Sequence, residues 1–112
     1  MSEAPNVTLV QDFAASGDYE KKHTPFITTT ASGDATLVTI EVGHEVAHPN
    51  GTDHYITFIE LYAGMAPIAR FDLSPATVRP TVSVLVSLGP GTVLRAIEHC
   101  NLHGLWAYEV TL

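Results

Sequence analysis

Cysteine is nearly missing from this chain of 112 residues: there is one, Cys100. A single thiol closes no intramolecular disulfide, so no oxidative staple holds the fold, which agrees with a reducing compartment. Basic residues are scarce as well. Five Lys and Arg stand against twelve Asp and Glu, a formal net charge of −7. Neutralising phosphates requires a basic patch, so nucleic acid and anionic membrane surfaces are poor partners. Charged residues make up only 15%, below the usual roughly 25%, and the 46% hydrophobic content allows a packed core. No segment reaches the ~18 consecutive apolar residues of a membrane span. The opening stretch MSEAPNVTLVQDFAASGDY lacks a basic region and a long apolar run, so no secretory signal is expected and the protein is expected in the cytoplasm. Helical periodicity is missing over any window of about twelve residues.

What is present is strand alternation. ATLVTIEV (35–42) sets Val38, Ile40 and Val42 against Thr39 and Glu41, the pattern of a half-buried strand. PTVSVLVSL (80–88) alternates Val82, Val84, Val86 and Leu88 with Thr81, Ser83 and Ser87; Pro80 marks its start, since proline is not tolerated inside a central strand. HYITFIELY (54–62) is apolar on both faces and predicts a central strand. APIARFDL, TVLRAIE and WAYEVTL are shorter candidates, and GPG at 89–91 is a tight connection. The first ~25 residues, ending at Pro25, read as a loop-rich arm with one short helical turn. The whole, residues 1–112, is expected to be one domain: an all-β, immunoglobulin-like antiparallel β-sandwich of about seven strands.

Six histidines, at 23, 44, 48, 54, 99 and 103, fall mostly in turn-rich segments. Cys100 and His103 stand as Cys-x2-His, and Gly104 lets the chain turn sharply after the second of them. His48 and His54 flank a five-residue loop that can return both imidazoles to one point. Loops gathered at one end of a sandwich are where such groups meet. Imidazole with thiolate suits zinc, copper or iron, not magnesium or calcium. His44 and His99 are assigned to ordinary structural roles. A nucleophilic Cys100 would need a base and an orienting residue, and Asn101 and His103 lie too close in sequence to serve easily as both. Spacing alone leaves a cupredoxin-like electron carrier, a zinc-binding β-sandwich module or an iron site with more histidines. The carrier's usual axial Met is absent, because the only methionines are Met1 and Met65.

Three stretches go further. KHTP, HPNGTDHYITFIELY and HCNLHGLW together resemble the superoxide reductase family, which includes neelaredoxin and the iron-binding domain of desulfoferrodoxin. Its pattern is approximately E-K-H-x-P, then H-P-x4-H-[YH]-I-x-[WF]-I, then C-N-x-H-G-x-W, and the matches run from His23 to Trp106. The resemblance implies one mononuclear iron per chain, with His23, His48, His54 and His103 as equatorial ligands and Cys100 as the axial thiolate. It implies one-electron reduction of superoxide to hydrogen peroxide at an open sixth position, with electrons from a donor such as rubredoxin, and a homodimer or homotetramer. Lys22 falls at the position of the family lysine that attracts superoxide and helps protonate the product. The family glutamate, two residues before the first ligand, is replaced by Lys21; the sequence reads EKKHTP, with Glu20 three before His23. If the segment is extended, this one-residue offset turns Glu20 away from the iron and leaves the sixth position to water or empty; if the loop bulges, Glu20 still reaches it as the catalytic carboxylate. Backbone amides from Asn101 to His103 are expected to hydrogen-bond the sulfur, and Leu105 and Trp106 to shield it.

Overall fold

In the computed structural model, residues 6–112 are described; the first five residues of the expected arm lie outside them. The element order is β1 (Val7–Leu9), α1 (Asp18–His23), β2 (Pro25–Ser32), β3 (Ala35–Val42), β4 (Ile56–Ala63), β5 (Ala66–Asp72), β6 (Thr81–Val86), β7 (Val93–Cys100) and β8 (Gly104–Thr111). Two sheets form, one in the order β1-β8-β7-β4-β5 and one in the order β2-β3-β6. Six of these strands fall on the runs that alternation marks. β2 escapes that test because its sequence, PFITTTAS, buries only its first and third residues and ends in five exposed ones. The arm contains the expected short helical turn as α1 and, beyond that expectation, the strand β1. β1 pairs with β8 in parallel, whereas every other ladder is antiparallel.

The core lies between the sheets. Ile27, Val38, Ile40, Val42 and Val86 come from the smaller sheet, and Ile56, Ile59, Leu61, Leu94, Ala96 and Cys100 from the larger. On β3 and β7 the inward residues are two apart, as strand geometry requires. On β4 they are not: Ile56 and Ile59 are both buried, across an odd interval. A bulge between Ile56 and Phe58 absorbs the extra residue. It sits where β4 receives the chain from the loop carrying His48 and His54. Among the described residues no helix is long and apolar enough to cross a membrane.

Candidate metal centre

β7 and β8 meet in a tight hairpin. Cys100 pairs with Gly104 across the ladder, so Asn101, Leu102 and His103 form a three-residue loop. Gly104 has φ +81°, the left-handed conformation such a loop needs at its end and glycine adopts without strain. The turn leaves Cys100 fully buried and His103 exposed, with Sγ 3.8 Å from His103 Nδ1. Burial pushes the Cys100 thiol above its ordinary value; N–H groups of Leu102 and His103 donate to the sulfur and pull the other way, and Glu98 adds to the rise. The Asn101 N–H donates elsewhere, to the Tyr55 carbonyl at 3.2 Å.

His23 arrives on α1. The segment is helical, not extended, which changes the geometry of EKKHTP. His23 Nδ1–H donates to the Tyr19 carbonyl one turn back, at 2.8 Å, so Nε2 carries the free lone pair. Nε2 stands 3.2 Å from His103 Nδ1. The ring is fully buried and stacks on Trp106 at 4.8 Å and 16°. Trp106 Nε1–H donates to the His103 carbonyl at 3.1 Å. The tryptophan therefore supports two imidazoles. Glu20 lies on the same helix, and its Oε1 accepts the Gly17 N–H at 3.0 Å. The carboxylate thus ties the first turn of α1. Lys22 is half-buried and has no acidic partner among the described residues.

His48 and His54 come from the loop after β3. Gly43 has φ +93°, and a Cβ there would lie 2.6 Å from the His48 nitrogen; only glycine lets the chain fold over itself this closely. His48 Nδ1–H donates to the Pro49 carbonyl at 2.6 Å, and the Gly51 N–H closes on the His54 carbonyl at 2.9 Å. Asn101 straps this loop to the hairpin: Tyr55 N–H donates to its Oδ1 at 2.9 Å and its Nδ2 donates to the Asp53 carbonyl at 3.0 Å.

The four rings close a square. Centroids are 4.9 Å apart for His23–His48, 4.8 Å for His48–His54, 5.2 Å for His54–His103 and 5.0 Å for His103–His23. Donor atoms of His23, His54, Cys100 and His103 all lie within 4.8 Å of one another. His48 stands just outside that tight set, joined to it through its ring contacts. His48 Nε2 and His54 Nε2 are buried without a hydrogen-bond partner. Burying an unpaired polar atom costs free energy, so both nitrogens want a cation between them. Burial also drives His48 down to about 4, with the neighbouring His23, His54 and Lys22 charges adding to the fall and the Pro49 carbonyl opposing it. His23 is lowered by burial too, against its bond to Tyr19. Neutral imidazoles with free lone pairs and a thiol that a cation would deprotonate are a fit to a transition metal.

His44 and His99 stay outside the square. His44 Nδ1 meets Glu41 at 2.7 Å and its ring stacks on Phe26; His99 Nδ1 meets Thr57 Oγ1 at 2.7 Å. Three participants hold roles that were not assigned from the sequence. Tyr19 packs on His23, His103 and Trp106; its four-residue spacing from His23 becomes a signal only on a helix. Asn101 stands inside C-N-x-H, where its strap role has no local signature. Glu98 shares the strand parity of Cys100. It is fully buried, neither carboxylate oxygen has a partner, and burial holds it well above the usual carboxylate range.

Comparison with known proteins agrees with this geometry. The desulfoferrodoxin family model matches residues 15–109, which takes in every residue of the square and the thiol. The chain belongs to the desulfoferrodoxin family. It is 34% identical to a superoxide reductase of Pyrococcus horikoshii, over 93% of this chain and 99% of that one. It is 36% identical to a superoxide reductase of Pyrococcus abyssi with the same coverage. A superoxide reductase structure from Nanoarchaeum equitans superposes with a TM-score of 0.77 at 36% identity, covering 84% of this chain and 95% of that one. The family match and the β-sandwich agree with the fold expected from alternation.

Proposed function

We propose that this desulfoferrodoxin-family chain is a superoxide reductase of the one-iron type. It takes one superoxide, one electron and two protons to one hydrogen peroxide. The observation that carries the reading is the square of four imidazoles beside a buried thiol, on a chain of this family. The donors would be His23 Nε2, His48 Nε2, His54 Nε2, His103 Nδ1 and Cys100 Sγ. Bound there, iron would supply the electron by cycling between its ferrous and ferric states.

The protein's own groups do the rest. Backbone carbonyls of Tyr19 and Pro49 fix the tautomers of His23 and His48, a common means of orienting metal-binding histidines. Amides of Leu102 and His103 stabilise the sulfur as thiolate. Burial keeps the Cys100 side dry while His103 faces solvent, so the substrate reaches the site from the imidazole side. Lys22, next to His23 in sequence and without an acidic partner among the described residues, attracts the anion and passes on a proton. Glu20 serves α1 as a cap. Electrons come from a small donor protein such as rubredoxin; the chain works in the cytoplasm as a homodimer or homotetramer.

Metal analysis with a visible spectrum of the oxidised protein tests the reading. One iron per chain and a ferric–thiolate absorption band are expected. Zinc in a colourless protein would instead favour a structural zinc module.

A further inference from the structure

The five cations divide into two groups. Lys21 pairs with Glu45 at 3.1 Å, Arg70 with Glu60 and Asp72 at 2.9 and 3.0 Å, and Arg95 with Glu109 at 2.7 Å. Lys22 and Arg79 have no acidic partner among the described residues. In a chain of net charge −7, these two are the sources of uncompensated positive potential. Lys22 precedes His23. Arg79 is far from Lys22 in sequence but is carried to the same end of the fold: the Val42 N–H donates to the Pro80 carbonyl at 2.9 Å, and Val42 pairs with Pro25, two residues after His23.

There Arg79 lines a cavity of about 510 Å³, with Gly43, His48, Asn50 and Thr81 on its other walls. His48 is thus a residue both of the cavity wall and of the square. Glu41 borders it as well, but its carboxylate is engaged by His44 Nδ1 at 2.7 Å. Guanidinium, amide and hydroxyl donors around an open cavity suit a small oxyanion.

We propose that Arg79 and this cavity form an anion-collecting subsite, which holds superoxide electrostatically beside His48 before it reaches the metal. The substrate assignment rests on the superoxide reductase reading; the anion site itself does not. A cleft carrying the sign opposite to the substrate raises local substrate concentration even on a protein of unfavourable net charge. One charge at ~10 Å in water changes local concentration about twofold, and its reversal about fourfold.

The test uses the full-length iron-loaded protein. The second-order rate constant with superoxide is measured at low and high ionic strength for wild type, Arg79→Gln and Arg79→Glu. Losses of about twofold and about fourfold are expected at low salt, vanishing near ~0.5 M, where the Debye length falls below ~5 Å. Arg70→Gln, a cation already paired on another strand, should leave the rate unchanged. A parallel titration of the wild type with sodium nitrate, a monovalent oxyanion, should shift the Arg79 Nε–H resonance. An unchanged rate in Arg79→Glu overturns the proposal, as does a loss that persists at high salt, which marks a structural defect. A change confined to re-reduction by the electron-donor protein overturns it too and assigns Arg79 to donor docking. If wild type consumes no superoxide, the functional reading fails. The nitrate titration then decides the site alone: a shift at Arg79 supports an anion subsite, and none overturns it.

Discussion

The two ends that deliver the innermost ligands are built by different means. At the C-terminal end, Cys100 and His103 are set by a ladder: β7 pairs on both sides, with β4 and β8, up to Cys100 itself. At the N-terminal end, His23 rides on a helix of six residues. A helix that short does not stand alone in water. It is held by its own side chains, Glu20 to Gly17 and Thr24 Oγ1 to the Glu20 carbonyl at 2.7 Å, and by the stack of His23 on Trp106. One side of the site is thus a rigid platform. The other is a cap fastened by a few local contacts.

The contrast can be broken or sharpened by experiment. Cys100→Ser attacks the platform at its centre and should abolish the ferric–thiolate band and superoxide turnover together; a variant that kept both would remove the thiolate from the site. Acid attacks the buried imidazoles, His48 of the loop after β3 and His23 of the cap. His48 sits at about 4 in the fold against an ordinary 6.5, and His23 is lowered in the same direction. The unfolded chain therefore takes up protons first as pH falls below about 6.5, and the folded state follows only near 4. The iron-free protein should lose on the order of 3 kcal/mol across that window from His48, read from urea midpoints at stepped pH. A flat profile would show that the square is not buried without metal.

Asn101→Ala removes the two side-chain bonds of the strap and should cost about 2 kcal/mol, visible as a lower urea midpoint with an unchanged slope. Glu98→Gln is expected to stabilise. The raised folded value of Glu98 means its contribution is fully present below the unfolded value near ~4.3 and is lost as pH rises. The glutamine variant should therefore melt above wild type at pH 7 and lose that advantage near pH 4. The smallest effect belongs to Glu20→Ala. Losing one cap bond should cost at most about 1 kcal/mol, with faster hydrogen exchange confined to residues 17–24.

Much of the platform was legible because strand alternation and ligand spacing survive in linear sequence. Cys-x2-His-Gly encodes its own turn, and elsewhere the β3 and β6 runs announce their inward faces. The cap was not. Six residues carry less than two helical turns, too few for a periodic signal, and Tyr19 gains meaning only once the segment is known to be helical. The extended reading of EKKHTP, with its side-chain flip, fails for the same reason: on a helix Glu20 and His23 share a face at i and i+3. β2 was hidden by a run of threonines that are polar on both faces, and parallel β1 by its length of three residues. Glu98 was readable in principle from its two-residue spacing to Cys100, yet nothing in a sequence says that a carboxylate has been buried without a partner.

The parallel pairing of β1 with β8 settles a practical matter. Val7 lies opposite Leu105 and Leu9 opposite Ala107, so β1 starts at the metal end and runs away from it. The described chain therefore enters β1 on the metal side. Thr111 closes β8 at the other end, roughly 20–25 Å away for a strand of this length. An affinity tag of histidines placed at the front joins the described chain on the metal side and would blur any count of bound iron, whereas the same tag after Leu112 joins it on the far side of the sandwich and leaves the centre to its own five donors.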